Sequence, residues 1–169
     1  VEIIHQNSTR LINEIIDEDI AKVRSFAIQI SDLIYNEDLL KSKDYLFTRI
    51  KEVIKNLKVD VVHFFFKSDR PVEPVYADKA NEEIIINFPH NQLEKAMQGE
   101  LFAYQYVFSG RVVVSAGFPL YKSLEDKMQV IGAVVVSLIL PESQSTMIEQ
   151  SRRYYNDYME TKKLKVNIK

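Results

Sequence analysis

The chain of 169 residues contains no cysteine and only four glycines. The absence of cysteine excludes disulfide bonds and thiolate metal sites, and it leaves the redox compartment open. No glycine-rich loop is present to hold a phosphate group, and no Gly-x-Ser-x-Gly elbow of a hydrolase occurs. The histidines His5, His63 and His90 do not form a His-Glu-x-x-His zinc motif. We therefore expect no enzyme activity, no metal and no cofactor in this chain.

The sequence also lacks a signal peptide and a segment of the ~20 apolar residues needed to cross a bilayer. The net charge of −2 gives no reason to expect nucleic acid or an anionic membrane surface as a partner. A hydrophobic content of 46% is sufficient for the core of one domain. The chain begins within a helical pattern and stops abruptly, so we expect it to be a fragment of a longer protein.

The most apolar stretch runs from Met128 to Leu140 and predicts the central strand of a sheet. From Val130 onward, only Gly132 and Ser137 interrupt its Val, Ile, Ala and Leu residues. Its β-branched content, and the proline that follows at position 141, are typical of a fully buried strand. After that proline the sequence becomes polar and helical.

The first 35 residues contain no glycine and no proline, which predicts one continuous helix about 50 Å long. Its apolar residues recur at heptad spacing: Ile16, Ile20, Val23, Ala27, Ile30 and Ile34. Such a seam either packs on the chain's own sheet or pairs with a second copy. We expect both, with one end packing and the other pairing. A second helix is predicted from Leu39 to Leu57.

The remaining elements follow from β-branched and aromatic content, turn signals and a glycine cap. The predicted order is strands over Val59–Lys67 and Val72–Ala77, an extended stretch over Ile84–Ile86, a helix ending at Gly99, strands over Leu101–Phe108 and Arg111–Leu120 joined at Ser109-Gly110, a charged turn over Lys122–Lys127, the central strand, and a last helix from Pro141 to about Leu164. Five strands with a helix between the second and third predict an α+β fold.

This order resembles the PAS-like order of extracytoplasmic Cache sensor domains. Pro141, the Tyr155–Tyr158 element and the run Lys163-Leu164-Lys165 are similar to the juxtamembrane end of the sensor domain in NtrY-like, nitrogen-regulation-type histidine kinases. The resemblance implies a PAS-like/Cache five-stranded antiparallel sheet, with a long N-terminal helix on one face and a C-terminal helix. It implies one sensor domain over residues 1–169, divided into N-terminal helices (1–57), sheet (58–141) and juxtamembrane helix (142–169).

The same resemblance implies an extracytoplasmic, periplasmic part of an inner-membrane histidine kinase with transmembrane helices on both sides. Such a domain is expected to sense a small molecule on its sheet and to signal through its terminal helices. We expect a homodimer through the N-terminal helix. The alternative is a structural, dimerisation or protein-interaction module of a membrane kinase or chemoreceptor, without a small-molecule ligand.

Strand parity places several polar and aromatic side chains on one face of the predicted sheet. The candidate ligand-binding residues are His63, Lys67, Tyr76, Tyr104, Tyr106, Arg111 and Ser115, and Arg70 is a further contributor. Apolar walls with a few polar groups are typical of small-molecule pockets. The competing interpretation makes His63 a core histidine and leaves Lys67 and Arg111 in water at strand ends.

The polar groups on this face are cationic or neutral donors, and the sequence places no acid among them. We therefore expect a small anion such as a carboxylate, since arginine binds carboxylates through two parallel hydrogen bonds. The opposite face of the first strand, which contains Phe64 and Phe66, is expected to form the core under the long helix.

Overall fold

The structure is a computed structural model that describes residues 2–68, 72–78, 81–82, 88, 90–108 and 110–167. Its elements are the helix α1 (Glu2–Asn36), a 3-10 helix (Leu39–Lys41), α2 (Lys43–Leu57), β1 (Val61–Phe66), β2 (Val75–Tyr76), α3 (His90–Met97), β3 (Phe102–Phe108), β4 (Arg111–Leu124), β5 (Lys127–Ile139) and α4 (Glu142–Asn167). The predicted extended stretch over Ile84–Ile86 and the residue Arg70 lie outside the described residues.

The long first helix is confirmed as one element of 35 residues. Its absence of glycine and proline removes the two residue types that most often interrupt a helix. Its seam is buried in the chain's own core, with exposures of 4% or less at Ile16, Val23, Ala27 and Ile30. The expected packing of this seam on the chain's own sheet is therefore confirmed, and pairing with a second copy stays a prediction.

The second helix begins later than predicted, at Lys43. The backbone of Ser42 is extended, with φ −140°, and its side-chain oxygen accepts a hydrogen bond from the Tyr45 N–H at 3.4 Å. This serine N-cap separates the 3-10 turn at Leu39–Lys41 from α2. The predicted single helix from Leu39 is thus two elements, divided by a capping residue.

The sheet is antiparallel with the order β2-β1-β5-β4-β3, so the apolar strand β5 is central as predicted. The first two strands form the expected hairpin, pairing Val61 with Tyr76. At the other end of the sheet, β3 and β4 form a second hairpin. The α+β class, the five antiparallel strands and the long helices at both ends of the chain are confirmed.

The hairpin between β4 and β5 is tighter than the predicted charged turn over residues 122–127. Strand pairing continues to Leu124 and resumes at Lys127, which leaves only Glu125 and Asp126 in the turn. Both residues have left-handed backbones, with φ 52° and 62°. Two left-handed residues fit the twist of a β-hairpin, but this turn usually contains Asn-Gly or Asp-Gly. The Glu-Asp sequence gave no such signal.

The two faces of the sheet are covered differently. On the helix face, α1 and α2 pack against the strands, and the strand residues buried in this cluster are Val62, Phe64, Val75, Val114, Ala116, Leu120, Val134 and Val136. On the opposite face, here called the aromatic face, lie Val61, His63, Phe65, Phe102, Tyr104, Tyr106, Val113, Ser115, Ala133, Val135, Ser137 and Ile139. The prediction that Phe64 and Phe66 belong to the core under the helices is confirmed.

The two terminal helices meet at one end of the sheet. Ile12 and Ile16 of α1 pack with Ile148 of α4 and with Leu140 at the end of the central strand. Residues 153–158 of α4 are exposed, so this helix continues beyond the sheet at the same end. Within the described ranges, none of the helices combines the length and the apolar character that crossing a membrane requires.

Candidate functional site

A cluster of aromatic rings occupies the centre of the aromatic face. The Phe88 ring lies 5.0 Å from the ring of His63 and 5.5 Å from that of Phe65, measured between centroids. It also lies 6.3 Å from the ring of Tyr104 and 6.4 Å from that of Tyr106. All four pairs are edge-to-face, the arrangement that favours contact between aromatic rings. Phe88 is therefore the common neighbour of rings from β1 and β3.

Strand register explains how residues far apart in sequence reach this cluster. Val61 is paired with Tyr76 on one side and with Ser137 on the other, and Ser137 is paired with Ser115. Ser115 in turn is paired with Tyr104. Directly opposed residues of neighbouring strands lie side by side. A single cross-strand row thus contains three of the predicted site residues.

A short chain of hydroxyl groups forms the polar floor of the site. The side-chain oxygens of Ser115 and Ser137 are 2.7 Å apart, and both residues are fully buried. The Tyr106 hydroxyl lies 3.5 Å from the Ser115 oxygen, a long hydrogen bond. The two serines therefore satisfy each other inside an otherwise apolar surface.

The titratable groups of the cluster are uncharged at neutral pH, and burial moves their pKa values further from 7. It lowers the pKa of His63 from 6.5 to about 4, because the imidazolium form would lose its hydration. Burial is also the main cause that raises the pKa of Tyr104, with the neighbouring Tyr106 adding to it. Burial raises the pKa of Tyr106 to about 12, although the hydrogen bond between Tyr106 and Ser115 works in the opposite direction.

Two polar atoms of the cluster are buried without a hydrogen-bond partner in the described part of the chain: Nδ1 of His63 and the hydroxyl oxygen of Tyr104. Buried polar atoms are nearly always paired, so each exception calls for an explanation. Leaving such an atom unpaired costs about 1 to 3 kcal/mol. A bound molecule that hydrogen-bonds to these atoms would remove that cost, and this makes the cluster a candidate binding site.

The two predicted cationic residues lie at opposite ends of this face. The Arg111 Nε donates a hydrogen bond to the carbonyl oxygen of Leu140 at 3.0 Å, where β5 leads into α4. Lys67 follows the far end of β1, where its side chain is exposed. The structure thus brings together five predicted residues, His63, Tyr76, Tyr104, Tyr106 and Ser115, and leaves Lys67 and Arg111 at the margins.

An acidic residue, Asp60, lies at the Arg111 end, although the sequence placed no acid among the candidate residues. Its carboxylate accepts a hydrogen bond from the Ile139 N–H at 2.6 Å. Burial is the main cause that raises the pKa of Asp60, while this hydrogen bond and the charge of Arg111 lower it. The positive charge of Arg111 is therefore partly offset before any ligand arrives.

Sequence reasoning missed Phe88 and Ser137. Ser137 carried a usable signal, because it is a polar residue in an apolar central strand and shares its parity with Val135 and Ile139. Phe88 carried none, because it lies in a connecting segment without periodicity. No group of three His, Cys, Asp or Glu side chains suited to a metal ion occurs among the residues that the structure describes.

Two open grooves elsewhere on the surface are weaker candidates. One lies between α2 and β2 and is lined by Phe47, Lys51 and Glu73 among others. The other lies between the end of α1 and β4, near Asp38 and Tyr121. In the described ranges, neither groove contains a buried polar atom that lacks a partner. The aromatic face is therefore the stronger site.

Comparison with known proteins gives a likeness in fold. No protein-family model and no curated protein matches the chain. The sensor domain of the Vibrio cholerae histidine kinase DctB is similar in structure, with a TM-score of 0.58 and 15% identity over 87% of this chain and 57% of that one. The periplasmic domain of Vibrio cholerae LuxQ aligns with a TM-score of 0.47 and 18% identity, over 86% of this chain and 69% of that one.

The chain thus spans less than two thirds of the DctB sensor domain. An identity of 15% shows a common fold and leaves function open, since one fold carries many functions. The α+β architecture, with its five antiparallel strands between terminal helices, is that of a PAS-like sensor fold.

Proposed function

We propose that this chain is the signal-sensing domain of a membrane-bound histidine kinase and that it binds a small molecule on its aromatic face. The observation that carries this proposal is a pair of buried atoms, His63 Nδ1 and the Tyr104 hydroxyl, which have no hydrogen-bond partner among the described residues and lie within a surface of aromatic rings. The likeness in fold to the DctB sensor domain supports the class of protein and an extracytoplasmic, periplasmic location. An NtrY-like kinase is the specific relative that we propose.

The ligand class that we propose is a small carboxylate, with its anionic group directed towards Arg111. The Nε of Arg111 is held by the carbonyl oxygen of Leu140, which fixes the orientation of the guanidinium group. No hydrogen bond to its terminal nitrogens occurs among the described residues, so these nitrogens can contact a carboxylate, the partner that a planar guanidinium binds best. The nearby Asp60 opposes this interaction, so the affinity is expected to be modest.

A thermal-shift screen tests the ligand, because a molecule that binds only the folded state raises the Tm. Each small carboxylate in the panel is paired with its neutral amide. We expect carboxylates to stabilise the chain more than amides, and Arg111→Ala to remove that difference. Arg153→Ala, at an exposed position on α4, is the matched control. Stabilisation by amines or metal ions alone, with Arg111→Ala behaving as wild type, would refute the proposal that the ligand is an anion. A panel without any Tm shift would argue against sensing.

We propose that the receptor is a homodimer through the outward side of α1. This side is opposite to the buried seam and carries three large exposed residues, Leu11, Ile28 and Tyr35, with exposures of 60%, 36% and 38%. The chain contains no cysteine, so single cysteines can be introduced cleanly. In the full receptor, Ile28→Cys should cross-link between subunits and Lys55→Cys on α2 should not. Equal cross-linking at both positions would contradict this dimer.

Transmission to the kinase is proposed to run from the central strand into α4. The Leu140 N–H donates to the carbonyl oxygen of Val112 at 2.9 Å, and the Val112 N–H donates to the side-chain oxygen of Ser145 at 3.0 Å. The Ser145 hydroxyl donates to the carbonyl oxygen of Leu140 at 3.3 Å. The start of α4 is thus bonded to both β4 and β5. The ligand can shift α4 only by its difference in affinity for the two arrangements.

A second candidate function is a protein-interaction module without a ligand. It is favoured by large exposed side chains on α4, with exposures between 40% and 62%: Met147, Tyr154, Tyr155 and Tyr158. If Met147→Ala with Tyr155→Ala abolishes kinase regulation while no compound changes the Tm, this function replaces ligand sensing.

A further inference from the structure

Phe88 differs from its neighbours in the aromatic cluster because it does not belong to the sheet. It lies in the connection between β2 and α3, two residues before α3 begins at His90. The rings of His63, Phe65, Tyr104 and Tyr106 project from β1 and β3 and meet the Phe88 ring at interplanar angles of 77° to 88°. A side chain from a connecting segment therefore lies over the middle strands β5 and β4, among rings that project from β1 and β3.

The Phe88 ring provides apolar contact and no hydrogen bond. Both unpartnered atoms, His63 Nδ1 and the Tyr104 hydroxyl, belong to rings that Phe88 contacts. The two rings that carry these atoms thus contact a phenyl ring that has no hydrogen-bonding group of its own. A ring that carries a hydrogen-bonding substituent would match this position better than Phe88 does.

We propose that Phe88 is a removable plug in the sensing site and that the ligand is a ring-bearing molecule whose uncharged hydrogen-bonding group replaces it against His63 and Tyr104. This rests on the proposed function and specifies the chemistry of its ligand. The carboxylate proposed above then lies outside the position of the ring, towards Arg111. Because the ligand replaces one ring by another, the aromatic contacts of the cluster are kept and new hydrogen bonds are added.

The plug also gives the ligand a difference in affinity between two states. With Phe88 in place, the two polar atoms are unpaired and the site is closed. With the ligand in place, the atoms are paired and Phe88 lies elsewhere. A ligand can shift an equilibrium only through such a difference. A ligand ring without a polar group would add no hydrogen bond to the contacts that Phe88 already makes. Its affinity for the open site would therefore be low, and it would shift the equilibrium little.

The test opens the site by Phe88→Ala and offers it two probes of similar size, phenol and toluene. An apolar cavity made by truncating a core side chain stays dry and binds apolar rings. A cavity lined by unpaired polar atoms should instead prefer phenol. We expect phenol to bind Phe88→Ala at least tenfold more tightly than it binds wild type. We also expect a Tm rise of about 3 to 6 °C at a phenol concentration about ten times its Kd.

The matched control is Phe47→Ala, which removes a partly buried phenylalanine from the helix face, where Phe47 contacts Phe64. Phenol should not raise the Tm of this variant. A second variant, Phe88→Leu, removes less volume and covers the case in which Phe88→Ala unfolds. We expect Phe88→Leu to bind phenol with intermediate affinity and still to prefer it to toluene.

Three results would overturn the proposal that Phe88 is a removable plug. Toluene could bind Phe88→Ala as tightly as phenol does, neither probe could bind the Phe88 variants, or phenol could raise the Tm of Phe47→Ala as much as that of Phe88→Ala. These results leave the proposed function standing if the ligand screen on wild type succeeds. Conversely, if phenol binds Phe88→Ala but no compound shifts the Tm of wild type, the preference of the opened site for a polar ring stands, while ligand sensing and the removal of Phe88 by a ligand are both refuted.

Discussion

The helix face and the aromatic face are made by alternate residues of the same strands, yet they are built differently. The helix face is covered by α1 and α2, and its fully buried Ser31 donates a hydrogen bond to the Pro119 carbonyl oxygen at 2.6 Å. One polar atom of the helix face is buried without a partner among the described residues, the Oε1 of Gln105 on the edge strand β3. The aromatic face has a short helix, Phe88 and several neutral polar groups.

This difference separates stability from binding. Hydrocarbon packing on the helix face supplies folding free energy roughly in proportion to buried apolar area. On the aromatic face, His63 Nδ1 and the Tyr104 hydroxyl have no partner in the part of the chain that the structure describes, and unpaired buried polar atoms oppose folding. A sheet that is held from one side can present such atoms on the other side to a ligand. The predictions below test whether the two faces respond differently to matched changes.

The largest effect is expected for Gly132→Ala. A Cβ at Gly132 would collide with the backbone carbonyl oxygen of Phe65 and lie 3.1 Å from the Cα of Phe66, and backbone atoms cannot move aside cheaply. We expect a loss of about 3 kcal/mol in the free energy of unfolding, measured by urea denaturation.

Gly117→Ala is the matched change on the aromatic face. The three atoms nearest to its Cβ would all belong to the side-chain ring of Phe102, and a side chain shifts more cheaply than backbone does. We expect a loss of about 1 kcal/mol. Equal losses at the two glycines would show that the aromatic face is packed as rigidly as the central strand.

The second effect is a loss of stability in mild acid caused by His63. Its pKa is about 4 in the folded chain and 6.5 when unfolded, so the unfolded state binds more protons between these values. Stability therefore falls as the pH drops below 6.5. Linkage gives a loss of about 2 kcal/mol between pH 7 and pH 5.

The variant His63→Gln isolates this effect, since the raised pKa of Asp60 acts in the opposite direction in both proteins. The difference between the two unfolding profiles should grow as the pH falls from 7 to 5. Parallel profiles would mean that His63 is accessible to water and protonates freely.

A smaller effect is expected for Ser31→Ala on the helix face. The change removes a buried hydrogen bond and leaves the Pro119 carbonyl oxygen without its partner. We expect a loss of about 1.5 kcal/mol in urea denaturation. Ser25→Ala, at an exposed position of the same helix, should change stability by less than about 0.5 kcal/mol. Similar values for the two serines would argue against the buried contact.

The smallest effect, with the opposite sign, is expected for Tyr104→Phe. The hydroxyl that is removed is buried and has no partner among the described residues. Its loss should stabilise the chain by about 0.5 kcal/mol, because an unsatisfied group is removed. Tyr106→Phe should instead be neutral or slightly destabilising, since its hydroxyl reaches Ser115. A destabilised Tyr104→Phe would mean that this hydroxyl is hydrogen-bonded in solution.

The sequence alone determined most of the elements and the two faces of the sheet. The apolar run ending at Leu140 predicted the central strand, and alternation along β1 placed Phe64 and His63 on opposite sides of the sheet. These features depend on local periodicity, which the order of residues contains directly. The grouping of His63, Tyr104, Tyr106 and Ser115 followed from the same alternation.

Only the tertiary structure decided what covers each face. Heptad spacing in α1 could not distinguish packing on the sheet from pairing with a second copy, because both bury the same stripe. Phe88 reaches the aromatic cluster through a connection without periodicity, and Arg111 is held by the end of β5 beside Asp60. These contacts depend on strand register and chain path. They join residues distant in sequence, so no local pattern contains them.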